Sequence, residues 1–470
     1  MEKPTANSVR RVTLVNTCGP ADNIGDWALT VAAAKIVWSV WPDADIDMVP
    51  WSRQVDPGAV ERAVVAELGL PPSKRVTVLS PASRADARPQ AAGEAYDAIR
   101  LARRVKDLAG TEMALFVQRL KGATNSGDTD RVVFVGGNIV CGPRDLRRIA
   151  HLHRALTGVR RAELQNIPCY ILGCTYDVSD NFLTRSLALN PLRKAACVVA
   201  REEITYGKLV GAGLTNILRG GDPAFCLSCP QTRDRDTQAI VVNMFSEIEW
   251  NSAVGTSAAE HARALSREIR LLRNVLRRFP TVRLRLVPHE SPRRSGPSDL
   301  VELSRIAEAL GEPDRVVVTK PCGGLADVWH HYGSCSVVIG PRYHGYVFGA
   351  LMGTPVVGIG PRVQKNEGIT SLLGLPWFPD DTNSDDGALD QVGTLLAWDA
   401  EKRAGLARKA ASIGHSLLES FSTVAVPLTK RHTAGSHASN GYSHKSKANK
   451  PAAKFAQGDF EEFGSPSSVE

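Results

Sequence analysis

The feature that most constrains this chain is a repeated alternation of short β-branched runs with longer segments of helical periodicity, the pattern that builds parallel sheets from strand–helix–strand units. Val12 to Asn16 opens the series, and Trp27 to Trp41 follows with apolar residues at three- and four-residue spacing until Pro42 closes the helix. Further strands are predicted at Asp45 to Val49, Val76 to Leu79, Val132 to Val135, Cys169 to Leu172, Cys197 to Ala200 and Asn216 to Leu218. The polar run Ser228 to Gln238, with Pro230 and mixed charges, supplies no core face and reads as a linker. The alternation then restarts with strands at Ile240 to Met244, Val282 to Val287, Val316 to Val318, Ser336 to Ile339 and Val356 to Ile359, and helices at Ser257 to Phe279 and Asp299 to Leu310. Closing helices are expected within Ala388 to Phe421, crossing back to the first half. A chain of 470 residues exceeds what one core usually serves. The expectation is therefore an α/β protein of two Rossmann-like domains facing a cleft, residues 1–229 and 230–426.

Beyond Pro427 the composition turns to Ser, His, Lys, Gly and Ala with few large apolar residues, too few to offset the entropy of ordering, so residues 427–470 are expected to form a disordered tail. The formal charge of +8 is spread along the chain without a nucleic-acid motif, which argues against a nucleic-acid partner and suits anionic substrates. No apolar segment with a basic flank opens the sequence, so a cytoplasmic location is expected. Tyr343 to Pro361 lacks Lys, Arg, Asp and Glu and matches a membrane span in length, but five glycines and Pro355 cut it. A strand, helix and strand explain it better, and no integral membrane segment is expected. Nine cysteines without a secretory signal read as reduced thiols in the cores. The single CxxC, Cys226 and Cys229, lacks the second ligand pair that zinc requires.

In open parallel sheets ligands bind beyond the carboxyl ends of the strands, so the reactive residues there carry the functional argument. The loop Asn16 to Asp26 reads NTCGPADNIGD and matches neither a dinucleotide fingerprint nor a P-loop. Asn23, Gly25 and Asp26 are suited to orient a sugar hydroxyl or accept its proton; on the blander reading Asp26 caps the helix. Gly136 and Gly137 end a buried strand, where they either let backbone N–H groups approach an anion or form a sharp turn. Arg201-Glu202 follows another strand, and Asp222-Pro223-Ala224-Phe225 lies one strand later. Taken alone, an Arg at a strand end is often a surface ion pair. The most informative segment is Gly340-Pro341-Arg342-Tyr343-His344-Gly345, between a strand and an apolar helix. Arg342 and His344 are expected to project from this turn, where a helix N-terminus favours anions. A guanidinium suits bidentate binding of carboxylate or phosphate, and His passes protons near neutral pH. His289 ends another strand of the second half and is a further cleft candidate. His330 and His331, like His151 and His153, read as packing and surface residues.

Taken in order, these segments resemble the polysaccharide pyruvyl transferase family. Asn23-x-Gly25-Asp26-x-Ala28-Leu29 is similar to its N-terminal motif, Gly136-Gly137 to its glycine-rich strand end, Arg201-Glu202 to its Arg-acidic pair and Asp222-Pro223-Ala224-Phe225 to its DPAF segment. Arg342-x-His344-Gly345, with the following Gly-x-Pro turn and Lys365, matches its most telling C-terminal motif. Order and spacing across residues 12–375 carry the resemblance. The chain departs from the family at Asn138, where a third glycine is frequent, and at Pro361-Arg362, where an aromatic residue often precedes the lysine; residues 427–470 match nothing in it.

The resemblance implies phosphoenolpyruvate as donor, a sugar or glycan acceptor in a polysaccharide or its lipid-linked precursor, and a cyclic pyruvate ketal as product. A lipid-linked acceptor would place the protein at the inner face of the membrane. Two Rossmann-like halves across a cleft are also the architecture of the GT-B glycosyltransferases. On this basis Arg201 and Arg342 clamp the donor's carboxylate and phosphate, and Asn23, Gly136, Gly137 and Lys365 complete substrate binding. His344 supplies or relays the proton, Asp26 activates or orients the acceptor hydroxyl, and His289 is the alternate acid. No cofactor and no metal site are expected. The rival readings are a GT-B-type glycosyltransferase using a nucleotide sugar and a non-catalytic glycan-binding relative.

Overall fold

The computed structural model describes residues 9–20, 22–50, 56–71, 74–79, 129–141, 156–177, 182–230, 235–244, 258–290, 298–360, 363–379 and 385–425. The β-branched runs pair in parallel throughout both sheets. The first sheet contains β1 (Arg11–Thr17), β2 (Asp45–Pro50), β3 (Val76–Val78), β4 (Arg131–Cys141), β5 (Cys169–Asp177), β6 (Cys197–Ala200) and β7 (Ile217–Arg219), in the order β3-β2-β1-β4-β5-β6-β7. The second contains β8 (Ala239–Val242), β9 (Arg283–Leu286), β10 (Val316–Val318), β11 (Val337–Gly340), β12 (Val356–Gly360) and β13 (Trp377–Pro379), in the order β10-β9-β8-β11-β12-β13. Each sheet reverses its winding next to its first strand, between β1 and β4 and between β8 and β11. That switch point is where a doubly wound fold opens a crevice for a ligand.

Side-chain alternation along the strands divides each sheet between two cores. In β4, Val133 and Val135 enter one cluster while Val132 and Phe134 enter another; in β8, Val241 parts from Ile240 and Val242 in the same way. The helices covering these faces are α1 (Ile24–Val40), α2 (Pro57–Leu68), α3 (Thr157–Leu164), α4 (Phe182–Lys194) and α5 (Glu203–Gly211) on the first sheet. On the second they are α6 (Ala258–Arg278), α7 (Asp299–Leu310), α8 (Leu325–Gly333), α9 (Tyr343–Leu351), α10 (Gln364–Leu373) and α11 (Asp385–Leu396), while α12 (Ala400–Ala425) packs on α9 and on β7 of the first sheet. Local chemistry sets several of their ends. Asp56 accepts from the N–H groups of Gly58 and Ala59, Pro57 opens α2, and Gly69 closes it at φ 58°.

One apolar cluster runs through both halves, taking in Trp27 and Leu29 of α1, Tyr343 and Phe348 of α9, and Leu417 and Phe421 of α12. The last helix does cross back: the Phe421 ring lies 5.4 Å from Tyr170 and 6.1 Å from Trp41, both near edge-on. Gly414 permits that crossing, because a Cβ there would stand 2.2 Å from the carbonyl oxygen of Phe225. The domains are therefore joined by a core as well as by the 228–238 segment, whose far end is held to the second domain through Arg235 and the Cys335 carbonyl.

The elements differ from the sequence expectation in several places, among them β5, which runs past Leu172 to Asp177. α1 begins at Ile24, three residues early, because Asn23 caps it. β4 continues through Gly136 and Gly137 to Cys141 instead of turning there. The stretch from Tyr343 starts as a helix and its described part ends as a strand at Gly360, without the leading strand expected. β13 was not anticipated, being three residues long with a proline. Among the described residues no helix is long and apolar enough to cross a membrane. The expected tail, His151, His153 and Arg362 lie outside the described residues.

Candidate functional site

The two motifs at the ends of the chain meet. Asn23 accepts through Oδ1 from the N–H groups of Gly25 and Asp26, so the cap of α1 is Asn23 and not Asp26. Ile24 N–H donates to the His289 carbonyl of the other domain at 2.9 Å, and Asn23 Nδ2 lies 3.4 Å from Glu290 Oε1. These contacts use the first N–H groups of α1 internally, which leaves the mouth of the cleft to side chains. Asp26 is exposed in the first turn of α1. Gly25 lies beneath His344: a Cβ at Gly25 would fall 2.1 Å from His344 Nδ1. The glycine of one motif is thus the seat for the histidine of the other.

His344 stacks on Phe348 one turn along α9, with centroids 5.8 Å apart. Its Nε2 is buried, has no hydrogen-bond partner among the described residues and faces Asp222 Oδ2 at 3.7 Å. Burial holds the His344 imidazole well below its usual range, and the charges of Arg201, Lys365 and Arg342 press the same way. Asp222 comes from the first domain, at the cap of the 3-10 turn Pro223–Cys226, where it accepts from Ala224 N–H at 2.9 Å. Burial pushes its carboxyl up to about 6 despite the opposing pull of Arg201.

Arg201, 2% exposed, organises this pocket instead of lying on the surface. Its Nε donates to Thr175 Oγ1 at 2.6 Å, one terminal nitrogen lies 3.4 Å from Asp222, and the guanidinium sits 4.0 Å above the Tyr343 ring. Glu202 beside it is raised by burial, and Gln364 of the second domain donates to its Oε1 at 3.2 Å and to the Tyr176 carbonyl at 3.2 Å. Arg201, Asp222 and His344 form one buried polar cluster assembled from both domains, with Lys365 half-buried close by.

Other expected residues take different places. Arg342 does not project from its turn. Its guanidinium folds back into the second domain, pairing with Asp299 and donating to the Met244 carbonyl at 2.9 Å. His289 is buried, with Nε2 2.5 Å from Tyr332 Oη and its backbone N–H bonded to Asp299. Burial, followed by the charge of Arg342 and the nearby His344 and His331, keeps it neutral. That placement ties His289 to Tyr332 and Asp299 inside the second domain. Gly136 meets a packing need, since a Cβ there would stand 1.9 Å from the Leu172 carbonyl of the next strand. Gly137, at φ 123°, lets β4 bend beside Leu29. Cys226 and Cys229 are free thiols whose Sγ atoms contact the carbonyls of Gly414 and Leu351. Among the described residues no group of three or more His, Cys, Asp or Glu is placed to hold a metal ion.

Sequence reasoning passed over Asn243, Asp299, Tyr332 and Gln364. Asn243 is the keystone of the second loop cluster: its Oδ1 accepts from Arg342 N–H, its Nδ2 donates to Tyr332 Oη, and Gly340 and Gly345 both close against it. The sequence reading placed Asn243 inside the strand Ile240 to Met244, and only the structure, which ends β8 at Val242, sets it in the loop beyond.

Comparisons with known proteins agree with this fold. Similar solved structures include the Listeria monocytogenes protein assigned as a UDP-N-acetylglucosamine 2-epimerase, with TM-score 0.54, 11% identity and coverage of 91% of this chain and 97% of that one. Another is the UDP-GlcNAc 2-epimerase of Neisseria meningitidis bound to UDP-GlcNAc, at TM-score 0.53, 10% identity and 88% and 99% coverage. A Glycyrrhiza uralensis UGT complexed with glycyrrhetinic acid 3-O-monoglucuronide follows at 0.52, 9%, and 91% and 98%. At such identity these likenesses establish the fold, which is the two-domain GT-B-like arrangement. No curated protein matches the sequence. The family model described as polysaccharide pyruvyl transferase matches residues 23–362, from the cap of α1 to the end of β12 and just beyond. The chain belongs to the polysaccharide pyruvyl transferase family.

Proposed function

We propose that this protein transfers the pyruvyl group of phosphoenolpyruvate to two hydroxyls of one sugar, within a polysaccharide or its lipid-linked precursor, releasing phosphate and leaving a cyclic ketal. The observation that carries this reading is the buried cluster of His344, Asp222 and Arg201, built from both domains and surrounded by the positive charges of Arg201, Lys365 and Arg342. Such a field suits a small donor bearing a carboxylate and a phosphate.

The reaction needs a proton delivered to C3 of the enol, a hydroxyl attack on the oxocarbenium-like C2, and departure of phosphate. His344 moves the proton. Arg201 and Lys365 stabilise the donor's negative charge, and Arg342 contributes its charge from the position where Asp299 holds it. Asp26, exposed in the first turn of α1, orients or deprotonates the acceptor hydroxyl, while Asn23 and Gly25 fix that turn. The donor carries its own leaving group, so these steps call for no cofactor. An acceptor on an anionic lipid carrier would bring the protein to the inner face of the membrane.

Thermal protection tests the donor. Phosphoenolpyruvate at about 100 times its Kd should stabilise the protein by about 2.7 kcal/mol, and UDP- or GDP-sugars should not. Protection by a nucleotide sugar alone would replace this reading with glycosyl transfer.

A further inference from the structure

Among the described residues His344 finds no hydrogen-bond acceptor for Nε2 within its own domain, and the carboxylate facing that nitrogen belongs to the other domain. Asp222 is fixed from three directions, by Ala224 N–H, by Arg201 and by the packing that buries it completely. Arg201 is in turn held by Thr175 and the Tyr343 ring. His344 is confined between Phe348 and the bare backbone of Gly25. The pair stands 3.7 Å apart, so about 0.7 Å of further closure brings it to hydrogen-bond length.

We propose that His344 and Asp222 form a proton-relay pair divided between the domains, joined when the cleft closes on the anionic donor and parted when it opens; this rests on the pyruvyl-transfer reading above. Proton movements balance without a charged imidazole. His344 gives its Nδ1 proton to C3 of the donor while Nε2 takes the proton of the Asp222 carboxyl. When the first hydroxyl attacks C2, Nδ1 takes that hydroxyl's proton and Nε2 returns the other to Asp222. The second hydroxyl attacks as the C2–O bond to phosphate breaks, and its proton leaves with the phosphate. The groups around the pair favour this route: burial and the charges of Arg201, Lys365 and Arg342 disfavour an imidazolium at His344, while burial lets Asp222 keep a proton up to about pH 6. His289 also lies near enough to His344 to feel its charge, and Glu202 and Tyr343 flank Asp222. Asp222 is a positioning residue and proton store that acts on the donor through His344. Division of the pair ties proton transfer to closure, so the reactive enol is protonated only in the closed cleft.

The test is Asp222→Asn, which keeps an acceptor for Ala224 N–H. Turnover should fall roughly 10²-fold or more, with the KM for phosphoenolpyruvate changed by less than about threefold and the pH-rate limb of Asp222 gone. In full-length protein labelled with ¹³C-histidine, the His344 signal, assigned by its loss in His344→Gln, should report a tautomer change on adding phosphoenolpyruvate. Asp222→Asn should abolish that change. Parent turnover and pH profile in Asp222→Asn, or a His344 signal unaffected by the substitution, would overturn the proposal. Should the variant fail to fold, the parent signal decides, and no tautomer change with bound donor overturns it. If the parent does not bind phosphoenolpyruvate, the functional reading falls, and the pairing is judged with inorganic phosphate as the anion that closes the cleft, where a His344 signal identical in parent and variant refutes it.

Discussion

Gly25→Ala is the smallest change that reaches the site, since it adds one methyl where two domains meet. The new Cβ would lie 2.1 Å from Nδ1, 2.6 Å from Cγ and 2.9 Å from Cε1 of His344. No real Cβ tolerates such approaches, so either the imidazole leaves its stack on Phe348 or the cleft cannot close. Within α1 alone the exchange is favourable by up to about 1 kcal/mol, because alanine is the better helix former. Against this, forcing a methyl into a packed contact costs about 1–3 kcal/mol. The penalty falls on closure and the benefit on the helix, so the net change in Tm should be small. Catalysis should suffer far more, since displacing a reacting group by about 1 Å costs on the order of 10²-fold. Phosphate release from phosphoenolpyruvate with a competent acceptor measures the loss, and a thermal melt confirms that the protein is folded. Parent turnover in a folded Gly25→Ala protein would show that His344 does not act from the position over Gly25.

Three further outcomes follow from named contacts. Arg342→Met removes the partner of the buried Asp299 carboxylate and should cost about 3–5 kcal/mol in chemical denaturation, far more than a cleft residue facing solvent would. Phe421→Ala removes one ring of the cluster it forms with Trp41 and Tyr170 and should cost about 3–5 kcal/mol, with hydrogen exchange accelerating in α12 and α1 together; a local effect on α12 alone would deny that the helix ties the domains. The third concerns pH. Because Asp222 holds its proton to about 6 when folded and 3.8 is its ordinary value, its contribution to stability is fully present below about pH 3.8 and lost as pH rises through about 6. That amounts to about 3 kcal/mol, so Asp222→Asn should gain stability relative to the parent between pH 4 and 7, and a difference independent of pH would contradict the shift.

The sheet was legible because its strands are short β-branched runs with period two, and most of them form within a residue or two of where the pattern puts them. What the pattern could not give was where a strand continues past its β-branched core. β4 runs on through Gly136 and Gly137, which look like a terminus until the Leu172 carbonyl on the neighbouring strand explains why only glycine fits. The start of α1 was missed for a related reason: Asn23 and Asp26 are both good capping residues, and the choice depends on His289, whose carbonyl receives Ile24 N–H across the domain interface. In the site, residue types pointed to the right turns but not to side-chain directions. Arg342 carries the sequence signature of an anion clamp, yet Asp299, distant in sequence, turns it inward. Conversely, Asp222 stood out in the sequence only as part of the Asp222-Pro223-Ala224-Phe225 segment, whereas the fold makes it cap its turn and also brings it to the buried Nε2 of His344.

The central claim is pyruvyl transfer centred on His344. The most direct test incubates the protein with phosphoenolpyruvate and an array of glycosides, measuring inorganic phosphate and the ketal methyl group of the product by NMR. The account predicts one ketal formed per phosphate released on at least one sugar, with both signals reduced about 10²- to 10⁴-fold in His344→Gln while phosphoenolpyruvate still binds. Phosphate release without a ketal, an active His344→Gln protein, or transfer of a sugar from a nucleotide donor instead would contradict it.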